Sequence, residues 1–183
     1  IVLPNVIVAF IQKRISSVVL VNLIEGALRV AIFIVYLVAI SQMRDIQRVF
    51  AYHGAEHKTI AAWEAGEALT VDNARRHGTA HARCGTNFLL IVMLVSVLIY
   101  SLLGRQGLVE RIVTRILLLP VLAGVSYELL KIAGRPDPSP IVKWARAPGL
   151  ALQRLTTREP DDSMLEVAIV SLQAVIEKDE AVN

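Results

Sequence analysis

The chain has 183 residues, 55% of them hydrophobic, and a mean hydropathy of +0.56, a balance too apolar for an ordinary water-soluble domain. Nineteen Lys and Arg against sixteen Asp and Glu give a net charge of +3, and no basic cluster interleaved with aromatics offers a nucleic-acid surface. A single cysteine, Cys84, excludes an internal disulfide framework and leaves one thiol for metal binding, reactivity or packing.

The opening run Ile1–Ile11 is too short to span a bilayer alone and begins without Met. It reads as the tail of a crossing that starts upstream, and the chain as a piece of a longer one. Val18–Ile40 is long enough to cross about 30 Å of hydrocarbon, which completes a first region, 1–40. Residues 41–86 form a polar insertion, predicted as a helix from about Asp45 to Glu64, a turn punctuated by Gly66, Asp72-Asn73 and Gly78, and a shorter helix. Phe88–Leu103 and Ile112–Ala133 are two further apolar runs, making the region 87–133, with Pro120 and Gly124 marking a kink or close packing in the second.

Gly134 and three prolines then end the helix and open a tail, 134–183. In the tail, Ile141–Leu155 mixes Trp144 and aliphatics with Lys143, Arg146 and Arg154, as suits a stretch lying at lipid headgroups. Ser163 and Glu166 have the spacing of a capping box for a last helix, whose stripe of Leu165, Ile169, Leu172 and Ile176 must dock on this chain or on a partner protein. The fold class expected is therefore all-α: a polytopic helical membrane protein with a cytoplasmic helical insertion and amphipathic C-terminal helices.

The expected topology follows from charge. If the chain turns back after Lys13-Arg14, most basic residues fall on one side, among them Arg44, Arg48, Lys58, Arg75, Arg76, Arg83, Arg135, Lys143, Arg146 and Arg158. Lys13, Arg14, Arg105 and Arg111 fall on the other, with Arg29 and Arg115 inside the apolar runs. The positive-inside rule makes the larger group cytoplasmic, which puts the insertion and the C-terminus together at the cytoplasmic face of the membrane.

The densest chemistry lies in His53-Gly54-Ala55-Glu56-His57, an H-x-x-E-H pattern at helical spacing. Positions i, i+3 and i+4 are neighbours on a helix, so two imidazoles can hold a metal while Glu56 acts as general base on a bound water. His81 and Cys84 offer two further ligands, and thiolate with imidazole is a ligand set for zinc. Four ligands would make a closed, structural site; three and a water would make an open, catalytic one. His77 is a spare imidazole, and Glu64 and Glu67 are candidate acceptors that orient the imidazoles. Glu128, near the end of the last crossing, is a further candidate ligand, a partner for Lys58 or simply an ion-paired carboxylate. Glu25 and Arg29, at i and i+4 in an apolar run, are expected to neutralise each other.

These motifs resemble the YqhQ-like family of bacterial integral-membrane proteins of unknown function, sometimes labelled predicted metal-dependent enzymes. The resemblance rests on Tyr52 to Lys58, on Arg83-Cys84-Gly85-Thr86 with Phe88, and on Pro148-Gly149-Leu150 with Leu152-Gln153. It extends to Thr156 through Asp162, to Glu166 through Ile169, and to Glu25-Gly26 with Arg29. An N-terminal Gly-Gly-Gln-Ala-Val and Glu-Gly-Val-Met-Met-Arg pattern found in similar proteins has no counterpart here. The resemblance implies architecture more than reaction.

Two functions compete. One is a membrane-embedded zinc-dependent hydrolase or peptidase with Glu56 as base. The other is a non-enzymatic scaffold whose cytoplasmic loop is stapled by a His3Cys site and whose tail docks a partner. Thr157 to Asp162 and the His-bearing insertion are expected to support each other, with Arg158 and its acidic run pairing across to Lys58 or Arg83.

Overall fold

An α-helix satisfies its own main-chain polar groups, so each apolar run between Val18 and Ala133 resolves into one. The computed structural model describes residues 17–104, 106–135 and 139–182. It is built from helices α1 (Val18–Ile40), α2 (Arg44–Glu64), α3 (Val71–Arg76), α4 (Gly85–Ser101), α5 (Leu108–Ala133), α6 (Pro140–Thr156) and α7 (Asp162–Val182). There is no strand among the described residues. The opening run Ile1–Ile11 lies outside them.

The chain divides into two units. One takes the chain up to Tyr36 together with Arg83–Gly149; the other takes Leu37–Ala82 and the chain from Leu150 onward. Most of the insertion and the tail from Leu150 onward thus build one body, although the sequence separates them by two apolar helices.

In the first unit, α1, α4 and α5 are the apolar helices. Val18–Ile40 and Ile112–Ala133 are each long and apolar enough to cross a membrane. They are also mostly exposed, with 17% and 11% of their most apolar windows buried, which is unlike the core helices of a water-soluble protein. Helix α4 has 17 residues and reaches about 26 Å, short of a full hydrocarbon core. Gly26 lets α1 approach α4, because a Cβ there would collide with the Val97 side chain.

A polar lock sits among these helices. The Glu25 carboxylate, almost fully buried, takes Arg29 from its own helix and Arg115 of α5 on the same oxygen, the latter at 2.9 Å. Arg115 also stands over the Tyr100 ring, 5.1 Å from its centroid. The expected Glu25–Arg29 pair is therefore present, with a second arginine added.

In the second unit, α7 packs along α2, and Ala55, Ala74 and Leu165 form a core with Val71, Met164 and Ala168 against it. Leu165 and Ile169, the first half of the predicted stripe, are buried in this unit, so the stripe docks on its own chain. The cap of α7 differs from the expected one. The helix starts at Asp162, and Asp161 carries the cap, accepting the Met164 N–H at 3.0 Å and the Ser163 hydroxyl at 2.6 Å. Ser163 has the right type but lies inside the helix; the nearer carboxylate in the preceding turn takes the free N–H.

Candidate metal centre

Helix α2 carries His53 and His57 one turn apart, their rings in edge contact at 4.3 Å between centroids. What brings them inward is the chain's close approach at Gly54. The Arg158 N–H donates to Phe50 O at 2.9 Å, and the Arg158 carbonyl then lies where a Cβ on residue 54 would be. Only glycine permits that contact between helix and main chain. The expected support between the Thr157 to Asp162 run and the His-bearing helix is thus present, through main chain at Arg158 and through the Glu159–Lys58 ion pair.

Both imidazoles are oriented by main-chain carbonyls. His53 Nδ1 lies 2.8 Å from Thr156 O and His57 Nδ1 lies 2.6 Å from Thr79 O. A carbonyl can only accept, so each Nδ1 carries the proton and Nε2 is the nitrogen suited to ligate a metal. His53, His57 and Cys84 are the ligand-bearing residues of a group that could hold a metal ion. Cys84 is buried and is the N-cap of α4, its sulfur accepting the Thr86 N–H at 3.3 Å. A helix N-terminus stabilises negative charge, which suits a metal-binding thiolate.

His81 stands beside this group, its ring centroid 5.7 Å from that of His57. Its Nε2 is 3.2 Å from Glu64, which thus meets His81 where an imidazole of its own helix was expected. Gln153 clamps the His81 main chain from both directions, accepting its N–H at 2.8 Å and donating to its carbonyl at 2.7 Å. His77 pairs with Glu67 at 3.2 Å.

Glu56 lies on another side of α2. It is exposed and, with Tyr52 and Ile60, lines a groove of about 330 Å³ against Val167, Leu172 and Val175 of α7. Glu128 is also exposed and lies 4.0 Å from Lys131. Of the pairings considered for Lys58, the one with the acidic run around Arg158 is present, through Glu159, and the one with Glu128 is not. Lys58 is 3% exposed, and its ammonium donates to Arg75 O at 3.1 Å and His77 O at 2.7 Å and pairs with Glu159 at 2.6 Å. This lysine closes the end of α3 and ties the 156–162 run to the insertion.

Sequence reasoning missed Gln153 and Gly54 as organisers of the site, and of Lys58 it foresaw the acidic partner but not the two carbonyls. Gly54 had a signal, being inside the H-x-x-E-H pattern; Gln153 had none beyond its polar character.

The chain belongs to a family of proteins of unknown function, DUF1385, whose model matches residues 1–178. Among curated relatives, it is 37% identical over 153 residues to the uncharacterized protein YqhQ of Bacillus subtilis strain 168, an alignment covering 84% of this chain and 48% of that protein. The chain thus spans about half the length of that relative. No solved structure matches.

Proposed function

We propose that this protein is a multi-pass bacterial inner-membrane protein whose insertion and tail, on the cytoplasmic side, are organised by a zinc ion. His53, His57 and Cys84 hold the ion with His81 as the fourth ligand, and the assembled unit serves as a membrane scaffold. One observation carries this reading: both α2 imidazoles give their Nδ1 to carbonyls of distant segments, Thr156 and Thr79, which aims their ligating edges from a rigid frame. A thiolate with imidazoles favours zinc among the common divalent ions. Exposed apolar faces on the two longest apolar helices support membrane insertion. The exposed position of Glu56 favours a structural site over a hydrolytic one.

Elemental analysis of the purified protein tests it. About one zinc per chain is expected, lost in His57→Ala and Cys84→Ala and weakened in His81→Ala. A metal-free parent overturns the reading.

A zinc hydrolase is the second reading, favoured by one specific observation: the close group contains three ligand-bearing residues, the number typical of an open site. Full zinc retention in His81→Ala, with a water in the zinc coordination shell by X-ray absorption, would favour it over the scaffold.

A further inference from the structure

Helix α6 has its apolar stripe turned away from the protein. Over its first turns, Val142, Arg146 and Gly149 face inward, half-buried or buried. Ile141, Trp144, Ala145 and Pro148, at i, i+3, i+4 and i+7, face outward, with Ile141 79% and Trp144 81% exposed. An ordinary amphipathic helix on a water-soluble surface presents the opposite face, so this stripe calls for an apolar neighbour.

Three contacts fix where the stripe lies within its unit. Arg146 donates to Ala133 O at 3.5 Å, at the last residue of α5. Gly149 packs so closely on Asn87, in the first turn of α4, that a Cβ would collide with its amide. Gly134, just past α5, packs on the Arg83 side chain, just before α4. The stripe therefore sits at the end of the apolar helices where α4 begins and α5 finishes. Lys143 lies on the exposed side of the same turns and Arg135 is exposed at the end of α5, while Lys131 is within 4.0 Å of Glu128.

We propose that the first half of α6 is a lipid-binding surface that lies in the headgroup layer and selects anionic phospholipid. Ile141 and Trp144 enter the acyl boundary, and Lys143 and Arg135 hold headgroup phosphates. Tryptophan suits this depth because its ring is apolar and its N–H remains hydrated. Charge complementarity commits the surface to an anionic bilayer rather than a protein: cations flank an aromatic wedge at the mouth of helices built to cross hydrocarbon. The inference rests on the membrane reading above and goes beyond it in naming the lipid class and the residues.

The chain has two tryptophans, Trp63 and Trp144, so Trp63→Phe leaves one reporter on the stripe. The whole protein carrying that change is reconstituted in phosphatidylcholine vesicles containing phosphatidylglycerol. Trp144 is expected to be quenched strongly by lipids brominated near the headgroup, weakly by lipids brominated at the chain end, and little by aqueous iodide. Brominated phosphatidylglycerol should quench more than equal brominated phosphatidylcholine, from a roughly fivefold local enrichment per cation, and Lys143→Gln with Arg135→Gln should abolish the preference. Iodide quenching equal to that of free tryptophan, or equal quenching by both lipids in the parent, overturns the proposal. A second reporter separates the two readings. Leu117→Trp, in a background of Trp63→Phe and Trp144→Phe, places the probe at an exposed site on α5. Quenching there by chain-end bromines, with a water-exposed Trp144, refutes the surface alone; a water-exposed probe at 117 as well refutes the membrane reading.

Discussion

The two units solve the burial of charge differently. Around α2, buried and half-buried polar side chains end largely on main-chain carbonyls: His53 on Thr156, His57 on Thr79, Lys58 on Arg75 and His77, with the exposed Glu159 added at Lys58. Among the apolar helices, charge meets charge directly, with Arg29 and Arg115 on one oxygen of Glu25, while its other oxygen and Arg29 Nε are buried with no partner among the described residues. The cause is the supply of free backbone. Within a helix the carbonyls serve the i to i+4 ladder, so side chains crossing between these helices meet one another or a helix end, as Asn22 does at Tyr100 O and Arg146 at Ala133 O. The second unit has loops and helix ends, whose carbonyls are open to side chains from elsewhere. A polar group bound to backbone fixes a loop in place; one bound to another side chain fixes only that pair.

Breaking the comparison at its sharpest point means removing Glu25, which leaves two arginines among apolar helices. Glu25→Ala is expected to cost about 3–5 kcal/mol, read as a fall in thermal midpoint of the detergent-solubilised protein, with zinc content unchanged in the surviving folded fraction. Gly54→Ala attacks the other unit and should cost about 3 kcal/mol and release the metal, since backbone cannot yield to the new methyl. Gly78→Ala, which has open space, is its neutral control. Lys58→Met leaves two carbonyls unserved and should lose about 2 kcal/mol in denaturant titration. Glu159→Gln, on a side chain 70% exposed, should lose under about 1 kcal/mol.

A smaller effect is expected at Asp161, where the Ser163 hydroxyl and then the Met164 N–H hold the carboxyl below its usual range. A lowered folded pKa stabilises the fold above the ordinary carboxylate range and ceases to do so as pH falls through the lowered value. The stability gap between parent and Asp161→Ala should therefore be flat near neutral pH and close on acidification, as pH-dependent melting would record. Glu56→Gln should change neither stability nor zinc content; a large loss of zinc would return the carboxylate to the metal site.

Much of this was readable before any coordinates. The apolar run Val18–Ile40 is helix α1 to the residue, because a long apolar run without Pro has no competing structure. The pairing of Glu25 with Arg29 follows from spacing alone. The spacing of His53, Glu56 and His57 was legible too, but spacing does not say which side of a helix a group faces. Tyr52, Glu56 and Ile60 recur every fourth residue along the groove, whereas His53 and His57 recur along a neighbouring face. The roles of Thr79 and Thr156 could not be read, since they act through carbonyls that every residue owns. Cys84 as a helix cap was hidden because the apolar signal of α4 begins at Phe88, after the turn that Cys84 starts.

The contact at Gly54 reverses the expected tolerances within the five-residue motif. Written as H-x-x-E-H, the pattern treats position 54 as free and position 56 as fixed. In the folded chain the glycine has no substitute, since a carbonyl occupies the space of any side chain, while the glutamate projects into open groove. A saturation library across residues 53 to 57, selected for folding alone, should therefore return glycine at 54 and nearly any polar residue at 56.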